Sequence, residues 1–173
     1  MSGGEPRAGA STAPGSTPLE ATFVEKDVVD WAKLETLVKQ LAEQVRGEYD
    51  VMLCITRGGL VPAGMLAYLL GIRDILVAAV AFYDEHGQVA DQPMFFQFPS
   101  DPLLHGKRVL IVDEVWDTGT TIQAVIERVR MGGGIPTTAV LHYKPERSKV
   151  RSVPDHFAVS TDAWVVYPFK YGK

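Results

Sequence analysis

Cysteine is nearly absent: the 173 residues contain one, Cys54. That excludes a disulfide within the chain and suits a reducing compartment, so a cytoplasmic protein is expected. Cys54 stands in an apolar run, which predicts a buried, inert thiol rather than a nucleophile. Long hydrophobic runs are missing too. The longest, Ile75–Phe82, is far short of the roughly 20 residues that cross a bilayer, so no membrane partner is expected. Positive charge is not in excess. Seventeen Lys and Arg against 21 Asp and Glu leave a net charge of −4, which argues against nucleic acid as a partner. No G-K-[ST] follows a glycine-rich turn, so there is no Walker A loop. The four histidines, His86, His105, His142 and His156, lack zinc-ligand spacing and are expected in surface or loop positions.

The length fits one domain with a real core. Hydrophobic content of 46% and charged content of 22% are those of an ordinary soluble globule. Residues 1–18 are rich in Gly, Ala, Ser, Thr and Pro and lack the apolar block of a secretory signal. They cannot bury enough surface to offset their ordering entropy, so we expect a disordered tail over 1–18 and a single domain over 19–173.

The most informative run is Val109–Thr121, VLIVDEVWDTGTT. Val109–Val112 read as a buried strand. Two adjacent carboxylates, Asp113 and Glu114, are expected at its end. The turn Asp117-Thr118-Gly119-Thr120-Thr121 then opens an apolar-periodic helix over Ile122–Met131. Free amides at a helix N-terminus bind phosphate, and acids beside them suit a sugar diol or a magnesium ion. Asp101 could add to the same local negative charge.

Hydrophobic periodicity organises the rest. A helix is expected across roughly Val28–Val45, capped by Asp27 or Asp30, with Trp31, Leu34, Leu37, Val38, Leu41 and Val45 on one face and Gly47 beyond its end. Strands are expected over Val51–Ile55, Ile75–Phe82, Lys107–Val112 and Thr138–Tyr143, with short candidates at Phe157–Ser160 and Trp164–Tyr167. A helix over Leu60–Leu70 stops at Gly71. Alternating strands and helices predict an α/β fold, a mostly parallel sheet flanked by helices, with ligands beyond the carboxyl ends of the strands. Asp84–Phe98 fits neither period. It reads as a flap over the site or as a hairpin packed on the domain, and we expect the flap.

Two further clusters carry chemistry. Thr56-Arg57-Gly58-Gly59 follows a strand and opens a helix. Its glycines let backbone approach an anion, and Arg57 supplies a fixed cation. Lys144-Pro145 ends a strand, and Trp164-Val165 lies downstream. An ammonium only donates hydrogen bonds, so it accepts a 6-oxo group and offers nothing to a 6-amino group. An indole can stack on the ring.

The first run resembles the phosphoribosyl pyrophosphate (PRPP) signature of the type I phosphoribosyltransferases. ITRGGLVPAG is similar to the S-R-G-G-L-V-P turn of those enzymes, with Thr56 in place of Ser. Lys144-Pro145 and Trp164-Val165 resemble the K-P and W-(I/V) elements of the xanthine–guanine and hypoxanthine–guanine enzymes. The likeness spans most of Val51–Pro168. One departure stands out: small xanthine–guanine enzymes end this region in P-W-D or P-W-E, whereas Pro168-Phe169-Lys170 offers no carboxylate for a second metal contact.

The resemblance implies joining of a 6-oxopurine (guanine, hypoxanthine or xanthine) to PRPP, releasing pyrophosphate and a nucleoside monophosphate. It implies that Thr118, Gly119, Thr120 and Thr121 hold the 5′-phosphate, and that Asp113 and Glu114 take the ribose hydroxyls directly or through Mg2+. Thr56, Arg57, Gly58 and Gly59 would hold the pyrophosphate. Asp117 would be catalytic, handling a proton at purine N7, and its position also fits a helix N-cap. Lys144, Trp164 and Val165 would recognise the base within a hood over 144–173. A homo-oligomer, dimer or tetramer, is implied, with apolar surface on the first helix available. The alternative is a non-catalytic sensor of PRPP or nucleotides with the same fold. A receiver-like domain is disfavoured, because Thr138–Tyr143 supplies no acceptor aspartate.

Overall fold

The computed structural model describes residues 25–83 and 89–170. The tail expected over 1–18, and Asp84, His86 and Gly87 of the expected flap, lie outside the described residues. In chain order the elements are β1 (Lys26–Val28), α1 (Trp31–Gln44), β2 (Val51–Thr56), α2 (Leu60–Leu70), β3 (Ile75–Tyr83), β4 (Val89–Gln97), β5 (Arg108–Trp116), α3 (Thr120–Met131), β6 (Ile135–Tyr143), β7 (His156–Ser160) and β8 (Trp164–Val166).

Six strands form one sheet in the order β4-β3-β2-β5-β6-β7. Every pairing in it is parallel except β3 with β4. The mostly parallel α/β sheet flanked by helices is therefore the observed fold. Because successive strand residues face opposite sides, β5 feeds two cores. Leu110 and Val112 pack with Leu34, Val38 and Leu41 of α1, whereas Val109 and Ile111 pack with Ile122, Val125 and Val129 of α3. A central strand buried on both faces reads as a continuous apolar run, which is why VLIV was legible.

Several boundaries differ from expectation. The β5 strand does not end at the carboxylates. Its ladder to β6 continues through Val115↔His142 and Trp116↔Tyr143, so Asp113 and Glu114 lie inside the strand. Polar side chains interrupted the apolar run without interrupting the hydrogen bonding. The cap of α1 is Asp30, whose carboxylate accepts the Lys33 amide at 2.7 Å. Asp27 instead belongs to β1. Trp31, expected on the buried face, is 52% exposed. The expected flap carries β4, an antiparallel edge strand whose register shifts between Ala79/Val80 and Ala81/Tyr83. That irregularity removes the two-residue period, and an edge tolerates Pro93. Antiparallel pairing with β3 is common to the flap and to the packed hairpin.

A second, two-stranded parallel sheet joins β1 to β8, with Asp27 opposite Val165. The expected hood of 144–173 thus includes a strand from the start of the domain. Nothing in three residues, KDV, signals this by period.

Candidate active site

Strands β2 and β5 are parallel neighbours, paired from Val51↔Val109 to Cys54↔Val112. Their carboxyl ends therefore deliver the turn after β2 beside the acid pair of β5. Between them lies a cleft of about 280 Å³, lined by Thr56, Arg57, Gly58, the run from Asp113 to Gly119, and Thr121, with Ile55, Val80 and Ile122 as its apolar wall. This is where parallel α/β sheets place ligands.

Asp113 and Glu114 are not equivalent. Asp113 accepts the Glu114 backbone amide at 2.8 Å. Burial first, and then the neighbouring Glu114 charge, push the Asp113 carboxyl well above the ordinary range. For Glu114 burial also acts upward, but the proton offered by Asp113 and the nearby Lys170 ammonium outweigh it and hold its pKa below the usual value. The two carboxyls therefore titrate as a coupled pair, Asp113 pushed up and Glu114 held down. Lys170 Nζ stands 2.6 Å from Glu114 Oε1.

The turn after β5 is built around Gly119, which adopts φ +77°. A Cβ there would also fall 2.3 Å from Trp116 Nε1. Gly119 occupies the N-cap position of α3, and no side chain caps that helix. Asp117 is therefore not the cap. Its carboxylate is bonded by the Arg147 guanidinium and lies 3.9 Å from the Lys144 ammonium. Thr118 and Thr120 hydroxyls bond each other at 2.9 Å. The uncapped N-terminus of α3 opens where Thr118, Gly119 and Thr121 line the cleft, which suits a phosphate.

In the other turn, the Thr56 hydroxyl donates to the Ala78 carbonyl at 3.2 Å, and the Thr56–Arg57 peptide is cis. Arg57 lines the cleft and is exposed. Gly58 faces Glu114. Gly59 does not line the cleft. A Cβ on it would fall 2.6 Å from the carbonyls of Ile55 and Val112, so it lets the turn sit down on β5. Thr120 also stands outside the lining.

The base-recognition candidates flank the cleft. Lys144 is buried, 4% exposed, its amide bonded to the Trp116 carbonyl at 2.9 Å. Its ammonium lies 5.7 Å from the Trp164 ring. Trp164 is 55% exposed and Val165 is buried. A buried lysine beneath a half-exposed indole is the reverse of an ordinary surface lysine and core tryptophan. None of the three lines the cleft; Lys144 alone adjoins it, through Asp117, which does.

Three residues of this region escaped the sequence reading. Arg147 sits in a short 3-10 turn, Pro145–Arg147, directly after Lys144, and its signal was that adjacency. Tyr167 is buried and donates its hydroxyl to the Glu114 carbonyl at 2.7 Å. His142, expected at the surface, is fully buried on β6 with Nδ1 2.7 Å from the Tyr167 oxygen. Its strand is inside on both faces, which a lone histidine in LHY does not announce. Asp101 does not join the acids of the cleft. It pairs with Arg128 at 2.8 Å. Cys54 is buried as expected, and burial, with help from Asp113 and Glu114, pushes its thiol up to about 12.

Among the described residues no group of three or more His, Cys, Asp and Glu could hold a metal ion. Asp113 and Glu114 do belong to the donor class that magnesium takes, one or two carboxylates completed by phosphate oxygens. They fit an ion that arrives with a diphosphate rather than an all-protein cage.

The phosphoribosyl transferase domain matches residues 26–172. The chain is similar to a purine phosphoribosyltransferase from Pyrococcus horikoshii Ot3, at 34% identity and TM-score 0.75, over 86% of this chain and 96% of that one. It is similar to a hypothetical protein from Neisseria gonorrhoeae solved with bound ppGpp, at 30% identity and TM-score 0.74, over 86% and 90%. A xanthine-guanine-hypoxanthine phosphoribosyltransferase from Helicobacter pylori shares the fold at 20% identity and TM-score 0.69, over 82% and 92%.

Proposed function

Since the chain belongs to the type I phosphoribosyltransferase family, we propose that it joins a 6-oxopurine to PRPP, giving a nucleoside monophosphate and pyrophosphate. One observation carries this reading: a single cleft holds an acid pair, an uncapped helix N-terminus and a glycine turn bearing an exposed arginine. A sugar carrying a phosphate at one end and a diphosphate at the other needs that combination. The Pyrococcus relative, a purine enzyme, supports the substrate class.

In the proposed reaction the 5′-phosphate lies on the amides and hydroxyls of Thr118–Thr121. The Asp113–Glu114 carboxyl pair accepts hydrogen bonds from the ribose hydroxyls. Arg57 and the turn amides hold the diphosphate as it leaves. Magnesium, when bound with that diphosphate, supplies charge neutralisation. A purine nitrogen attacks the anomeric carbon and the C–O bond to diphosphate breaks, so catalysis rests on positioning and charge. Asp117, acting as a base, would take the purine N7 proton. Lys144 donates to the 6-oxo group while Trp164 stacks on the ring. The β3–β4 hairpin, with Val80 at the cleft wall, serves as a lid in this reading.

Homo-oligomers belong to the same proposal, with a different surface from the one expected. Helix α2, LVPAGMLAYLL, carries no charge, and Tyr68 on it is 93% exposed. No helix among the described residues is long and apolar enough to cross a membrane. One buried thiol supports a cytoplasmic setting.

The bound ppGpp of the Neisseria protein favours a second reading, a nucleotide sensor of the same fold. Incubation with magnesium, PRPP and guanine, hypoxanthine, xanthine, adenine, uracil or orotate separates the two. Turnover of a 6-oxopurine supports the transferase. PRPP or guanine-nucleotide binding with no base consumed supports the sensor.

A further inference from the structure

The segment after β8 returns to the acid pair in a way that neither the family match nor the resemblance assigns. Tyr167-Pro168-Phe169-Lys170 is a tight turn, closed by the Lys170 amide donating to the Tyr167 carbonyl at 3.1 Å, with proline at the second position that such turns favour. The turn is fixed to β5 at one residue, twice. Tyr167 donates its hydroxyl to the Glu114 backbone carbonyl at 2.7 Å. Lys170 places its ammonium 2.6 Å from the Glu114 carboxylate. The Lys170 ammonium also lies 5.2 Å from the centroid of the Tyr167 ring, and Phe169 stacks on the other side of the turn at 5.1 Å from that ring. Glu114 itself is 7% exposed. Its carboxylate is wedged between this turn and Gly58, where a Cβ would fall 1.7 to 2.0 Å from its atoms.

A buried carboxylate needs a counter-charge, because desolvation of an unpaired ion is costly. Here that charge comes from the chain. We propose that Lys170 is the built-in counter-cation of the Asp113–Glu114 pair. Its ammonium holds the Glu114 carboxylate against the Arg57–Gly58 turn and takes up one of its two oxygens. A divalent ion would have to displace that ammonium, so the free protein takes up no divalent metal at the acid pair. Lys170 is a positioning residue. This inference deepens the transferase reading for the sugar site and rests on it for its catalytic meaning, but its metal test does not require turnover.

The test is Mn2+ titration of the full chain without PRPP, with free Mn2+ followed by electron paramagnetic resonance. Wild type should show no site up to millimolar Mn2+. Lys170→Asp should create one, at least about tenfold tighter than any wild-type binding, because a competing unit charge becomes an added ligand. Lys170→Arg should behave as wild type, and Lys170→Gln should fall between. Circular dichroism and melting curves confirm that each variant is folded. A second measurement covers any variant that misfolds: in wild type, the rate of Lys170 amine acetylation, read by mass spectrometry, should not change on adding Mn2+ without PRPP. Wild-type binding of Mn2+ equal to that of Lys170→Asp, or faster acetylation of Lys170 with Mn2+ alone, overturns the proposal. Failure of the transferase reading would show separately, as absence of turnover with the metal pattern intact.

Discussion

The Glu114 carboxylate stands in the space that a side chain on Gly58 would need, with Oε2 1.7 Å from the position of a Cβ there. The turn after β2 and the acid of β5 are therefore a matched pair. Gly58→Ala cannot be absorbed by a side-chain swing, because Glu114 is buried and held by Lys170. Overpacking of this kind costs about 1–3 kcal/mol. We expect that loss in denaturant titration, with a larger effect on kcat/KM for PRPP than on that for the base. A variant with wild-type kcat/KM for PRPP would show that Glu114 is free to move.

Asp117 is held by Arg147 and lies near Lys144 instead of capping α3. It caps no helix and lines the cleft, so a proton from a bound base could reach it beside Arg147. Asp117→Asn should lower kcat by about a hundredfold or more, with little change in KM for PRPP, measured by steady-state kinetics. Arg147 is largely exposed, so Arg147→Ala should change stability by no more than about 1 kcal/mol. Unchanged kcat in Asp117→Asn would leave the residue as the partner of Arg147 and nothing more.

What the sequence disclosed, and what it hid, follows from where each signal resides. Val109–Val112 and Val51–Ile55 are buried on both faces, so burial wrote itself as composition. The Asp117–Thr121 run and the Arg57–Gly59 turn are legible because amide cradles demand glycine and hydroxyl residues in sequence. Relationships between distant segments left no such mark. The pairing of β1 with β8, the Arg147 contact to Asp117 and the Lys170 contact to Glu114 join residues 30 to 138 positions apart. Each is set by how the hood folds over the sheet. Gly59 was legible as necessary but not for its reason, since it faces the Ile55 and Val112 carbonyls.

Lys144 lies at the end of β6 with its ammonium between Asp117 and Trp164. If it donates to a 6-oxo group, Lys144→Met keeps most of the packing and removes only the donor. A hydrogen bond from a charged group contributes roughly 1.5–3 kcal/mol, so KM for 6-oxopurines should rise about tenfold to a hundredfold. KM for PRPP should hold. Equal rises for both substrates would place Lys144 in support of Asp117 alone. The check is initial-rate kinetics with each substrate varied in turn.

His142 supplies a pH dependence whose sign can be fixed. Burial, followed by the charges of Lys33 and Lys144, lowers its pKa from 6.5 to about 4, against the opposing pull of Asp27. It is neutral in the fold, with Nδ1 beside the Tyr167 oxygen and Nε2 without a hydrogen-bond partner among the described residues. The Tyr167 hydroxyl donates to Glu114, so Nδ1 carries the proton and Tyr167 accepts it. Between pH 6.5 and 4 the unfolded chain binds a proton at this residue and the folded chain does not. Stability is therefore full above 6.5 and falls as the pH drops toward 4, by up to about 3 kcal/mol. Urea unfolding across that range should show the loss. His142→Gln, which can still bond Tyr167 but does not titrate, should be flatter by that amount. Parallel curves for the two proteins would mean that His142 is solvated or already protonated in the fold, and that the clasp from β6 through Tyr167 to Glu114 is looser than its geometry indicates.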